Sequence, residues 1–353
     1  MNDNKFTILC DCDPAELTNL AQGMSDAYGR QPEFGVDICN QGHGSVLKVL
    51  WRYWVYFRFA WRVFLKRKQY PYIISWQQFF ATNYALYCRI FRTKKVSTIM
   101  SCNFTYKKKR NPLIQAIYGR YMKFALKGDY VDYFHVLGYS YAERLSRELE
   151  IPIEKFVVTE FGVDDQYEEW SKLPSPVDYP YALAIGRSNR DFDHVVEVYK
   201  KASLKDRKLI IISDTWAPKA DLPANITHLD SVTMERSYPY IANCELLLLP
   251  IDDSNICSGD TVLINGMMVK RPIVVTAPST LSEMYVTDGV DGVYMSKNAD
   301  ETALKIASLD KEQLRTLGEN ARETYLERFS RQRMGYQMIS KMLEKEKAKN
   351  KKV

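Results

Sequence analysis

The sequence predicts two consecutive α/β domains, each a doubly wound, Rossmann-like parallel sheet, facing one another across a cleft. Short apolar runs alternate with helical stretches twice along the chain, which is the pattern of parallel sheets with crossover helices. Several runs are continuously apolar, as expected of strands covered on both faces. The 353 residues are enough for two such domains.

The first alternation predicts an N-terminal domain over residues 1–165. Its strand candidates are short apolar runs: Phe6–Cys10, Tyr72–Ser75, Val96–Met100, Tyr133–Val136 and Phe156–Thr159. A segment with three prolines, Glu168–Pro180, then interrupts the pattern and indicates a linker.

The second alternation predicts a domain over residues 166–330. Its strand candidates are Tyr181–Ile185, Leu209–Ser213, Ile226–Leu229, Leu246–Pro250 and Pro272–Val275. Its helix candidates are Phe192–Lys201, Ser237–Asn243 and Thr261–Val269. Residues 331–353 are expected to form a lysine-rich helix (Arg331–Lys347), packed back toward the first domain, and a frayed tail.

The net charge of +6 conceals a division of charge along the chain. No Asp or Glu occurs between Ile38 and Lys127, whereas 18 of the 49 Lys and Arg residues lie there. Such a basic region indicates an anionic partner. The seven cysteines include no Cys-x-x-Cys pair, and the N-terminal segment has acids around a short apolar run. We therefore expect a reduced, cytosolic protein without a secretory signal or structural zinc.

A glycine-containing turn, Ser258 to Thr261, stands directly before the helix candidate Thr261–Val269. Turns of this kind bind anions because free backbone N–H groups converge at a helix N-terminus. The sequence therefore predicts an anion site here.

Around this turn, the second half of the chain resembles the GT-B glycosyltransferases, most closely the large retaining, family 4-like group that uses nucleotide sugars. The stretches that carry the resemblance are Ala184–Asp193 (AIGRSNRDFD), Cys244–Thr276 and Ser282–Met295 (SEMYVTDGVDGVYM). Lys155–Asp165 (KFVVTEFGVDD) resembles the strand that joins the two domains in that group.

The resemblance implies a hexosyl-type transferase that uses a UDP-sugar, needs no metal or other cofactor, and retains the anomeric configuration. Arg187 and Arg190, which follow a strand, are the implied catalytic clamp on the donor diphosphate. The implied donor-binding residues are Gly186, Arg187, Ser188, Arg190, Val232, Ser258, Gly259, Asp260, Thr261 and Asn265.

The chain departs from the family pattern at two glutamate positions. Alignment through Pro272 places Asn265 where the ribose-binding glutamate stands and Cys257 where the sugar-facing one stands. Asn265 can accept a hydrogen bond from a ribose hydroxyl, but Cys257 cannot replace a carboxylate. Lys270 also replaces a glycine of the family pattern. The sequence therefore leaves two alternatives: an adapted enzyme, or a non-catalytic scaffold subunit of a glycosyltransferase complex.

A basic and aromatic stretch, Val46–Tyr72, predicts an interfacial helix on an anionic membrane. Its cations fall within an arc of roughly 120° on a helical wheel, with tryptophans beside them: Lys48, Arg52, Arg58, Arg62, Lys66, and Trp51, Trp54, Trp61. Internal arginines argue against a membrane span. Alternatively, the cations are merely solvated. We expect a peripheral protein on the inner face of the cell membrane, acting in polysaccharide or glycolipid synthesis on a lipid-linked or anionic glycan acceptor.

Catalytic residues in the first half are predicted from position alone. Asp11 and Asp13 follow the first strand, and Asn103 follows the strand Val96–Met100; we assign Asp13 and Asn103 as catalytic candidates, with capping and loop roles as the alternative. The loop Tyr106–Pro112 (YKKKRNP) adds four consecutive cations for an acceptor diphosphate or a lipid headgroup. No recognised nucleic-acid motif occurs, so we expect no nucleic-acid partner.

Overall fold

The computed structural model describes residues 5–37, 46–106, 109, 111–230, 232–254 and 258–351. The chain divides into two compact units, of which unit 1 is Met1–Phe161 with Arg331–Val353 and unit 2 is Gly162–Ser330. Each unit is built on a six-stranded sheet whose paired strands all run parallel. The sequence placed the boundary between them at residue 165.

Unit 1 has the strand order β2-β1-β3-β4-β5-β6. The strands are β1 (Lys5–Cys10), β2 (Gln31–Val36), β3 (Tyr72–Ser75), β4 (Thr98–Ser101), β5 (Tyr133–Val136) and β6 (Phe156–Val158). The helices are α1 (Thr18–Tyr28), α2 (Val46–Leu65), α3 (Gln78–Ile90), α4 (Pro112–Leu126) and α5 (Tyr139–Leu149). Helices α2 to α5 share one buried core on one face of the sheet. No helix within the described residues is both long and apolar enough to span a membrane.

Unit 2 has the strand order β12-β11-β10-β7-β8-β9. The strands are β7 (Tyr181–Ile185), β8 (Lys208–Ile212), β9 (Ile226–Leu229), β10 (Leu246–Leu249), β11 (Ile273–Thr276) and β12 (Val293–Met295). The helices are α6 (Tyr167–Trp170), α7 (Phe192–Tyr199), α8 (Met234–Asn243), α9 (Asp260–Met268), α10 (Thr280–Tyr285), α11 (Ala299–Ser308) and α12 (Lys311–Thr324). Every strand predicted from the sequence occurs within two residues of its predicted start. Strands β2 and β12 and helices α6, α10, α11 and α12 were not predicted.

The last helix, α13 (Arg331–Asn350), belongs to unit 1 and packs on α1, across the sheet from α2 to α5. Glycines let the two backbones approach closely: a Cβ at Gly23 would lie 1.8 Å from the carbonyl oxygen of Gln332, and one at Gly335 would lie 2.2 Å from that of Leu20. The C-terminal helix therefore completes the core of the first unit.

Candidate functional site

The order of strands in unit 2 identifies where a ligand site is expected. The chain passes from β7 to β8 and β9 on one side, then returns to β10 on the other side of β7 before reaching β11 and β12. Open parallel sheets bind ligands outside the carboxyl ends of the strands at such a switch point. The loops that follow β7 and β10 lie in two of the stretches that carry the resemblance, Ala184–Asp193 and Cys244–Thr276.

Hydrogen bonds join these two loops. The Asn189 side chain donates to the Asp253 carbonyl oxygen at 3.0 Å and accepts from the Asp253 N–H at 2.7 Å. The Ser258 hydroxyl donates to the Ser188 carbonyl oxygen at 3.3 Å. The sheet topology and these hydrogen bonds therefore bring Ser188 and Ser258, which are 70 positions apart in the sequence, into one cluster.

Arg190 lies at the centre of this cluster. Its Nη1 donates to the carbonyl oxygens of Ser188, Asn189 and Ser258, at 3.0, 3.2 and 3.3 Å. Burial lowers the pKa of the Arg190 guanidinium, and the nearby Asp260 carboxylate opposes that shift. A guanidinium remains charged in a protein, so the cluster holds a fixed positive charge.

Two glycines make room for the Arg190 guanidinium. A Cβ at Gly186 would lie 2.7 Å from Nε, and a Cβ at Gly259 would lie 2.2 Å from Nη2. Gly259 also has φ +101°, a conformation that other residues rarely adopt. We call Gly186, Ser188, Arg190, Ser258 and Gly259 the Arg190 cluster.

Helix α9 begins directly beside the cluster. Gly259 precedes its first residue, Asp260, whose carboxylate accepts a hydrogen bond from the Thr261 N–H at 2.8 Å. Thr261 is exposed in the first turn, and Asn265 lies on the same face one turn later. The positive end of the α9 dipole and the Arg190 charge are therefore neighbours, which favours a bound anion.

Arg187 does not join this cluster. Its guanidinium pairs with both oxygens of Asp214, which follows β8, whereas Arg190 binds the loop that follows β10. The sequence had grouped the two arginines as one clamp, but their side chains contact opposite neighbours of β7. Val232 follows β9, two strands away from β7, at the edge of the sheet. Its implied role in donor binding stays a prediction.

Several residues named in the sequence analysis lie outside the described residues or away from the Arg190 cluster. Cys257 lies outside the described residues, as do Lys107, Lys108 and Arg110 of the basic loop. Lys270 adopts φ +60°, so the left-handed turn typical of glycine persists there without glycine. Glu283, which belongs to the stretch Ser282–Met295 that carries the resemblance, lines an open cavity of about 440 Å³ together with Tyr294 and Lys305.

Sequence reasoning missed Lys297, which follows β12. Its Nζ donates to the Ile251 carbonyl oxygen at 2.7 Å and lies 3.4 Å from a carboxylate oxygen of Asp191. It thereby ties the loop after β12 to both loops of the switch point. Its place just after a strand at the carboxyl edge was the available signal.

Unit 1 has its own switch point between β1 and β3. Asp11, buried at the end of β1, accepts hydrogen bonds on Oδ2 from the Tyr56 hydroxyl at 2.8 Å and from Gln77 Nε2 at 3.0 Å. Asp13 instead caps the following turn by accepting from the Ala15 N–H at 2.9 Å. Asp11 is thus the buried, oriented carboxylate at this edge, and a catalytic role of Asp13 stays a prediction.

Asn103 also lies at this edge, with a left-handed backbone of φ +45°. Its N–H donates to Nδ1 of the buried His135 at 3.2 Å, and Nε2 of that ring lies 2.7 Å from the Thr159 hydroxyl. Because Nδ1 accepts, the proton of the neutral ring is on Nε2, which donates to Thr159. His135 therefore fixes the loop that carries Asn103, whose own catalytic role stays a prediction.

Burial lowers the pKa of His135 from 6.5 to about 3, which predicts loss of stability in acid. Between those values the unfolded chain binds a proton that the folded chain does not, so the free energy of unfolding falls as the pH falls. His135→Gln should reduce that slope by up to about 1.4 kcal/mol per pH unit. Urea unfolding of both proteins between roughly pH 7.5 and pH 5 measures the difference. Equal slopes would contradict a neutral, buried His135.

Comparison with solved structures identifies the fold. A glycosyltransferase from Rickettsia africae superposes with a TM-score of 0.57 at 15% identity, covering 99% of this chain and 100% of that one. HepE from Anabaena, solved with UDP-glucose, gives 0.53 at 15% identity over 96% and 99% of the two chains. The lipopolysaccharide outer core galactosyltransferase WaaB gives 0.54 at 13% identity over 98% and 99%.

No family model matches the sequence, and no curated protein matches it. The similarity to known proteins therefore lies in the structure. The chain has the GT-B fold that its sequence predicted, with two Rossmann-like domains. Membership of the family 4-like group stays a prediction.

Proposed function

We propose that this protein is a glycosyltransferase and that unit 2 binds its nucleoside-diphosphate sugar. The Arg190 cluster is the observation that carries the proposal, because a fixed guanidinium and the N-terminus of α9 meet at the switch point of the sheet. Two neighbouring positive groups stabilise an anion such as a diphosphate. The fold, which is that of a UDP-glucose-binding protein, supports UDP as the nucleotide.

Glycosyl transfer breaks the bond between the anomeric carbon and the distal phosphate oxygen, and the electron pair leaves with the nucleoside diphosphate. The acceptor hydroxyl oxygen forms the new bond to the anomeric carbon, and its proton passes to an oxygen of the departing diphosphate. Arg190 and the first turn of α9 would stabilise the charge that grows on the diphosphate. Because the Arg190 guanidinium and the N-terminus of α9 supply positive charge themselves, we propose a reaction that needs no metal ion. We further propose that the anomeric configuration is retained, as in the family that the sequence resembles. Asn265 is proposed to accept from a ribose hydroxyl.

Unit 1 is proposed to take a lipid-linked or anionic glycan acceptor in polysaccharide or glycolipid synthesis. Its acid-free, basic segment supports an anionic partner, and Asp11 offers a carboxylate that can orient a hydroxyl. Docking on the inner face of the cell membrane is proposed through α2. We assign fewer of the cations to the membrane than the sequence suggested, because Arg58 and Arg62 both pair with Asp37. Lys48 and Lys66, which are exposed, and the exposed rings of Trp51 and Trp54 are the proposed headgroup contacts. Arg52 is only partly exposed and its Nε is buried, and Trp61 packs against Phe64 and Tyr87 at the core of unit 1.

Thermal unfolding with UDP, GDP, ADP, CMP and their sugar conjugates tests the donor assignment. A ligand at 100 times its dissociation constant adds about 2.7 kcal/mol to the free energy of unfolding if it binds only the folded state. We expect UDP and one UDP-sugar to raise the unfolding temperature and the other nucleotides to do so less. No shift with any nucleotide, also in the presence of anionic vesicles, would favour the scaffold subunit instead.

A further inference from the structure

Helix α4, which the sequence did not single out, exposes apolar side chains along one face. Leu113, Ile114 and Ile117 are 70%, 53% and 60% exposed, and Phe124 is also exposed. Leu113, Ile117 and Phe124 stand at positions i, i+4 and i+11, which is one side of a helix. Large apolar side chains grouped in this way on a soluble surface indicate an interaction site.

Helix α2 exposes a second apolar stripe. Leu47, Leu50, Trp51 and Trp54 stand at i, i+3, i+4 and i+7 and are all at least half exposed. The rings of Trp51 and Trp54 stack at 4.8 Å. The outward face of the first half of α2 is thus apolar and aromatic; the sequence had pointed to its cations and tryptophans, and the structure adds Leu47 and Leu50.

The two stripes belong to one surface of unit 1. Helices α2 and α4 lie in the same helix layer, and Phe57 of α2 contacts Tyr121 of α4 with ring centroids 6.3 Å apart. Exposed cations stand among these apolar residues: Arg120 on α4 with Lys127 directly after it, and Lys48 on α2 with Lys66 directly after it. Lys123 of α4 is also exposed and pairs with Glu150. No acidic residue occurs from 38 to 127.

We propose that α2 and α4 together form a membrane-insertion surface that takes an anionic bilayer. This deepens the membrane docking proposed above and adds a second helix to it. The charge identifies the occupant, because a cationic surface with exposed apolar side chains complements anionic headgroups over acyl chains. A second copy of the same cationic surface would be repelled. Binding should therefore have two components: a salt-sensitive attraction between charges, and a salt-resistant insertion of Leu113, Ile117, Trp51 and Trp54.

Vesicle partitioning of the full chain tests this proposal. The variant Leu113→Gln/Ile117→Gln keeps good helix formers at exposed positions, so its unfolding temperature should equal that of the wild type. The matched control is Leu304→Gln/Leu326→Gln, which changes two exposed leucines of unit 2. The probe is a phosphatidylcholine vesicle with roughly 30% phosphatidylglycerol.

We expect the α4 variant to bind vesicles at least about tenfold more weakly than the wild type, and the control to bind normally. At about 0.5 M salt, where charges are screened, wild-type binding should weaken but persist, and brominated lipid should quench the tryptophan fluorescence. Equal binding of the α4 variant, complete release by salt, or absence of vesicle binding by the wild type would each overturn the proposal. The proposal would also be overturned if the wild type formed a dimer and the α4 variant did not. UDP binding without vesicles reports on the donor site separately.

Discussion

Replacing Arg190 by alanine is expected to weaken UDP binding and sugar transfer at least about 100-fold. The guanidinium supplies the fixed positive charge of the cluster, and Nη1 joins the loops after β7 and β10 through the carbonyl oxygens of Ser188 and Ser258. Its removal takes away the charge and the link between the loops together. Calorimetric titration of UDP and initial rates of transfer measure the two effects.

Two further variants separate charge from geometry. Arg190→Lys keeps the charge but loses the planar fork that donates to several carbonyl oxygens, so it should recover little of the binding. Arg187→Ala removes an exposed guanidinium that pairs with Asp214 and should cost less than about tenfold. If Arg187→Ala were as damaging as Arg190→Ala, the two arginines would act as one clamp, as the sequence suggested.

Gly259→Ala is expected to abolish UDP binding nearly as completely as Arg190→Ala. The new Cβ would lie 2.2 Å from Nη2 and 2.9 Å from Cζ of Arg190, so the guanidinium must leave its position. The residue also precedes α9, and φ +101° does not suit alanine. We expect a loss of stability of about 1–2 kcal/mol from the backbone strain and a loss of UDP binding from the displaced arginine.

Gly289→Ala is the matched control for Gly259→Ala. Gly289 also has a positive φ, +75°, but a Cβ there meets nothing within 4 Å. The two variants should therefore lose similar stability in urea unfolding, while only Gly259→Ala loses UDP binding in calorimetry. Normal UDP binding by Gly259→Ala would show that the position of Arg190 is not required.

The sequence predicted the fold because most strands contain apolar runs, which are continuous in β7 and β10. Of the four edge strands, β6 and β9 were predicted, whereas β2 and β12 were not. Strand β2 contains Pro32, Glu33 and Gly35 and pairs only with β1. An edge strand tolerates proline and charge because one side forms no ladder. Strand β12, at the edge of the other sheet, has only three residues and is flanked by Gly292 and Ser296, so no longer apolar run marks it.

The sequence named most residues of the candidate site, but it did not predict which side chains contact one another. The resemblance to the GT-B glycosyltransferases implied that Arg190 and Gly259 share one site, and both follow strands whose carboxyl ends meet at one edge of the sheet. That Arg187 pairs with Asp214 and that Arg58 and Arg62 pair with Asp37 depends on side chains from other elements. Such tertiary partners leave no periodic pattern in the chain. The helical wheel therefore identified the cations of α2 but not the carboxylate that binds two of them.

A crystal structure of the protein with UDP is the most direct test of the donor site. We predict the diphosphate within hydrogen-bonding distance of the Arg190 cluster and of the first turn of α9 (Asp260–Met268), with the ribose toward Asn265. A diphosphate bound elsewhere, for example on the basic segment of unit 1, would contradict the assignment of unit 2 as the donor-binding domain.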